Sequence, residues 1–153
     1  MNRITKTILV VFLVSILVLV RGFEETLFYD PLIPFFKSVQ DYGSLPQFET
    51  LKLLINVVMR FLLNTLVSLG VLWVLFLDKD VIKLSGLLYS VLFVVLFGVF
   101  WHLLVSKSIA VGSIDKVSET DNFMSLFYVR RFLIQPIFLL ILIPAFYFQN
   151  NKE

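Results

Sequence analysis

Three arginines interrupt stretches that are otherwise apolar enough for a lipid bilayer: Arg60, Arg130 and Arg131. A guanidinium in hydrocarbon costs ~2.5–3.5 kcal/mol on insertion scales, so such residues face a polar interior or snorkel to the interface. Asn56 and Asn64 flank Arg60 at steps of four residues. Each such step advances only ~40° around a helix, so the three share one face. Tyr128, Arg131 and Gln135 stand at spacings of three and four on a second helix, whereas the consecutive Arg130 and Arg131 point ~100° apart. Pro136 cannot donate to the carbonyl of Phe132, which frees an acceptor near Gln135 and predicts a kink. Arginines gathered at one depth would hold an anion, because their planar forks match carboxylate and phosphate. The plainer alternative is snorkelling by Arg60, interhelical hydrogen bonds from the two asparagines, and interfacial anchoring by the arginine pair.

Carboxylates and the lone histidine complete the inventory. Glu24, Glu25 and Asp30 cluster just after the first apolar run and are the natural partners for the embedded arginines. Consecutive Glu24 and Glu25 diverge on a helix, which also fits a solvated interfacial pair. Gly86, Ser90, Val94, Gly98 and His102 recur every four residues, and this small-residue stripe predicts close packing on a neighbouring helix. His102 has no second histidine or carboxylate in helical register, so no metal site is expected; hydrogen bonding or proton transfer are the roles left to it. With no cysteine in the chain, disulfides, thiolate metal sites and cysteine nucleophiles are excluded. No nucleophile elbow, His-Glu-x-x-His pair, phosphate loop or dinucleotide glycine pattern occurs, which argues against an enzyme and implies no cofactor.

The elements that must position these residues follow from composition. Of 153 residues, 59% are apolar and 16% charged, with 17 Phe. The mean hydropathy is +0.93. A soluble domain would leave such surface wet, so lipid must be the solvent. The net charge of +2 is small and the basic residues dispersed, which excludes a nucleic-acid partner. Runs long enough for ~30 Å of hydrocarbon predict four spans, at about 4–20, 51–77, 84–106 and 123–148. The expected fold is all-α, an integral membrane four-helix bundle in a single domain covering the whole chain.

Residues 78–83 form a tight turn, so spans two and three make an antiparallel hairpin, and the two long connections share the opposite face. Within residues 23–40, Phe28, Tyr29, Leu32, Ile33, Phe35 and Phe36 are too apolar for water while Glu24, Glu25, Asp30 and Lys37 forbid a span. A short interfacial helix from Pro31 to about Gln40 fits both, capped by Asp30 and ended by Gly43 and Pro46. Residues 107–122 read as an exposed loop, with Ser118 and Asp121 a start signal for the fourth span. No small-residue cleavage site follows the first span, so it is expected to be retained. Arg3 and Lys6 before it, and the acidic cluster after it, put the N-terminus in the cytoplasm. Four crossings bring the C-terminus there as well.

Four segments carry a resemblance to a known family: FEETLFYDP at 23–31, RFLLNT at 60–65, FYVRRFLIQP at 127–136 and PAFYFQ at 144–149. Together the chain resembles the exosortase F system-associated membrane proteins over nearly its whole length, least between residues 105 and 121. The resemblance implies a bacterial inner-membrane protein that works beside an exosortase, a multi-spanning enzyme that processes C-terminal sorting signals. It gives weight to Glu24, Asp30, Pro31, Arg60, Asn64, Tyr128, Arg130, Arg131, Gln135 and Pro136, without assigning any of them a reaction. The chain lacks the cysteine of the exosortase itself. The expected function is an accessory protein of the sorting system, with the exosortase and membrane lipids as partners. The alternatives are an enzyme or carrier for a lipid-linked or phosphorylated group held by the arginines, and a structural scaffold.

Overall fold

A computed structural model describes residues 2–37, 49–105 and 121–150. Their order is α1 (Arg3–Gly22), α2 (Glu24–Leu27), α3 (Leu32–Lys37), α4 (Thr50–Phe76), α5 (Lys79–Val105), α6 (Asp121–Ile134) and α7 (Ile137–Asn150). The chain is all-α, with no strand among the described residues. Helices α1, α4 and α5 are each long and apolar enough to cross a membrane. Helices α6 and α7 are apolar enough only as a pair, bent by 61°, which makes either one broken span or a re-entrant hairpin.

Helix α1 runs antiparallel to α4. Lys6 at its start donates to the carbonyl of Leu75 in the last turn of α4. There the ammonium also meets the negative end of the helix dipole. Further along, a Cβ on Gly70 would stand 3.6 Å from a methyl of Leu13, so the two backbones pass close together. Helix α5 returns beside α4 and α7 closes the group. Phe61 packs on Phe93 at 4.8 Å between centroids, Tyr89 on Phe138 at 5.3 Å and Phe76 on Phe146 at 5.9 Å. Leu53, Val57, Leu72, Phe100, Leu126, Leu133 and Leu139 fill the core between these aromatics.

The turn between α4 and α5 is shorter than the sequence predicts. Leu77 ends α4 in the left-handed region at φ 55°, and Asp78 Oδ1 accepts from the Asp80 amide at 2.8 Å, starting α5 at once. Lys79, Asp80 and Lys83 therefore sit on exposed first turns of a helix instead of in a loop. Asp78 carried the signal as a cap residue.

Two expectations fail on packing. The stripe of Gly86, Ser90, Val94, Gly98 and His102 does not pack on a neighbouring helix of the chain: Val94 is 70% exposed, and a Cβ on Gly86 or Gly98 would meet nothing within 4 Å. Small size at a spacing of four marks a face but does not say which neighbour covers it. The first two residues of the helix after Pro31 also do not face lipid. Leu32 is fully buried and Ile33 nearly so, because α3 folds inward onto the bundle. The far end of that predicted helix, its Gly43 and Pro46 stop, and the polar segment with Ser118 lie outside the described residues.

A polar network joining three segments

Glu24 opens α2, the single turn that follows α1, and Asp30 stands between α2 and α3. Asp30 Oδ1 accepts from the Leu32 amide at 3.1 Å, and its own carbonyl accepts from the Ile33 amide at 3.2 Å. This local turn starts α3 and aims Oδ2 at the helices. Oδ2 then receives Arg60 Nη1 at 3.5 Å and Arg130 Nη2. Glu24 Oε2 pairs with Arg60 Nη2 and also takes Arg21 Nη1 at 2.6 Å. The result is a chain of alternating charge from Arg21 through Glu24, Arg60 and Asp30 to Arg130.

The centre of this chain is dry. Arg60 is 2% exposed and the Asp30 side chain 3%. A guanidinium and carboxylates survive there because each has an opposite charge at contact; removing one partner would strand the other. The Phe28 ring covers Arg60, with the guanidinium carbon 5.4 Å from its centroid. Asn56 fixes the same segment from the other side, accepting the Tyr29 amide at 3.2 Å and donating to the Lys52 carbonyl at 2.8 Å. The Lys52 ammonium lies 4.6 Å from the Tyr29 ring centroid. Residues 24–30 are thus tied down along the first half of α4.

Asn64, one turn further into α4, donates to the carbonyl of Ile134 at 2.8 Å. Ile134 is the last residue of α6, where the break before α7 leaves carbonyls without helical donors. The asparagine satisfies one of them and holds the break against α4. The sequence placed the free acceptor at Phe132; the bond falls two residues later, at the end of α6.

Beside the network lies a cleft of about 280 Å³ whose polar walls are Arg21, Glu24, Arg130, Arg131 and Gln135. Ile33, Phe127 and Ile134 supply the apolar part. Arg131 Nε donates to Gln135 Oε1 at 3.2 Å, which orients the guanidinium along the rim. Of the residues singled out in the sequence, Glu24, Asp30, Asn56, Arg60, Asn64 and Arg130 converge in the interior, and Arg131 and Gln135 join them at the cleft. Three do not join. His102 is exposed on α5, Tyr128 is exposed and rests on Phe127, and Glu25 is exposed beside the neighbouring opening lined by Phe28 and Pro34. The arrangement is a filled ion-pair network with a cleft at its edge. Sequence reasoning missed Arg21 and Phe28. The i,i+3 spacing of Arg21 and Glu24 was the available signal for the first; a ring over a cation has no spacing rule.

No known protein family, characterised protein or solved structure matches the chain. Among the described residues no group of His, Asp and Glu could hold a metal ion. Chemically, the network neutralises its own inner charges, and among the described residues no nucleophile with an adjacent base stands beside it. What it can do is lock three segments together and present an arginine-lined rim.

Proposed function

We propose that the chain is a non-catalytic accessory protein of an exosortase-type sorting system in the bacterial inner membrane, where it holds the exosortase or the membrane-embedded tail of a substrate. One observation carries this reading. Three of the segments that resemble the exosortase F system-associated proteins lie far apart in the sequence, yet they supply Glu24 and Asp30, Arg60 and Asn64, and Arg130 to one interlocked centre. A resemblance spread over residues that meet in space reflects a shared structural core. That core consumes its charges internally, which favours a rigid binding surface over a reaction centre. Arg3 and Lys6 put the opposite end of the bundle in the cytoplasm, so this surface faces the exported side.

Co-purification in mild detergent tests the proposal. A stable complex with the exosortase of the same cell, and loss of C-terminal processing when the gene is deleted, are the expected results. Unchanged processing in the deletion strain would end the accessory reading.

A further inference from the structure

The cleft beside the network has a charge balance that its own residues do not close. Its walls carry Arg21, Arg130 and Arg131 against Glu24 alone. Asp30, behind the wall, is shared between Arg130 and Arg60. Among the described residues, counting Arg60, Asp30 and the neighbouring Glu25 as well, positive charge still exceeds negative.

Two of these cations keep donors toward the opening. Arg131 is exposed, and among the described residues only its Nε is engaged, by Gln135. Arg21 is 51% exposed and uses Nη1 on Glu24. A guanidinium has five N–H donors, so both retain a fork for a ligand. Depth narrows the choice. Arg21 stands immediately after the apolar run that ends at Val20, which is the level of lipid phosphates just outside the hydrocarbon. The cleft also has an apolar wall of Ile33, Phe127 and Ile134, and Phe132 is exposed on α6 nearby. A ligand with an anionic head and an apolar body matches both surfaces. A lipid phosphodiester, like a carboxylate, presents two non-bridging oxygens to such forks, so the choice between them rests on depth and on the apolar wall, both of which fit a headgroup with acyl chains attached.

We propose that the cleft between α1, α3 and α6 binds the phosphate group of a phospholipid headgroup, with Arg131 and Arg21 as its donors and Gln135 orienting Arg131. The inference does not depend on the exosortase reading, because the readout needs no partner protein.

The test uses the full chain purified into nanodiscs of phosphatidylglycerol mixed with phosphatidylcholine, then released for native mass spectrometry. The expected result is one retained phospholipid, with phosphatidylglycerol enriched over its bulk share. Arg131→Gln should lower that retention about tenfold, the loss of one charge-assisted contact. Arg131→Lys, which keeps the charge but not the fork, should fall between. Lys83→Gln, at the opposite end of the bundle, should retain the lipid. Because Arg131 is exposed, its variants should keep the wild-type melting temperature. A second arm adds inorganic phosphate to protein in neutral detergent. Binding of phosphate that Arg131→Gln abolishes, with no lipid retained, would support the phosphate site and name free phosphate as its source. Equal lipid retention by wild type and Arg131→Gln, with no phosphate binding in either, would overturn the site. Displacement of the lipid by a peptide carboxylate but not by phosphate would overturn it too.

Discussion

Asp30 and Arg130 form an ion pair across a hundred residues of chain, and it fastens the connection after α2 to α6. The same carboxylate oxygen also faces Arg60 at 3.5 Å. One side chain therefore holds three segments, and its loss should be felt by all of them.

Asp30→Asn is expected to leave two buried guanidiniums short of a counter-charge. Breaking a buried pair costs ~3–5 kcal/mol, so a marked fall in melting temperature in detergent should follow. A double-mutant cycle with Arg130→Gln should show strong coupling. An unchanged melting temperature for Asp30→Asn would contradict the burial of the network.

The two partners of Glu24 should respond unequally. Arg21 is half exposed, and exposed pairs contribute ~0–1 kcal/mol, so Arg21→Gln should change stability little. Glu24→Gln also deprives Arg60, which is 2% exposed, and should destabilise the protein far more. Equal effects of the two substitutions would mean that Arg60 does not rely on Glu24.

Asn64→Leu removes the donor to the Ile134 carbonyl at 2.8 Å. A buried acceptor left without its bond costs ~1–3 kcal/mol. Hydrogen exchange of the amides around residues 134–138 should quicken in the variant while α5 is unaffected. If exchange there stays at the wild-type rate, the break is held by something other than Asn64.

Gly98→Ala should leave the isolated chain as stable as before or slightly more so, since a Cβ there meets nothing within 4 Å and alanine favours helix by up to ~1 kcal/mol over glycine. A clear loss of melting temperature in dilute detergent would show that this face of α5 is packed within the chain.

The absence of cysteine makes the topology directly measurable. Single cysteines at Glu25 and Lys83 stand at opposite ends of the bundle and are both exposed. An impermeant maleimide applied to whole spheroplasts should label Glu25→Cys and spare Lys83→Cys; the reverse pattern would invert the orientation proposed from Arg3 and Lys6.

Legibility in the sequence divided along a physical line. Three long apolar helices were readable because hydrocarbon thickness would set their length, and the meeting of Arg60 with Glu24 and Asp30 was readable because stranded charge in lipid has few alternatives. A kink was read at Pro136, and the chain does bend there, by 61° between α6 and α7. Direction was harder. His102 and Tyr128 sit at the right depth but point outward, and the glycine stripe of α5 faces away from the bundle. Periodicity assigns residues to a face; it does not assign that face a neighbour. The inward fold of Leu32 and Ile33 was hidden for a similar reason, since an apolar strip near an interface looks the same whether lipid or protein covers it.

The order of the network along the chain bears on how the protein is made. Glu24 and Asp30 leave the ribosome before Arg60, and Arg60 before Arg130. The acidic residues thus precede both buried cations, though not the half-exposed Arg21, and a helix that would insert poorly by itself has its counter-ion already made. Assembly then has a direction built into it, with α6 docking last onto a carboxylate already half engaged.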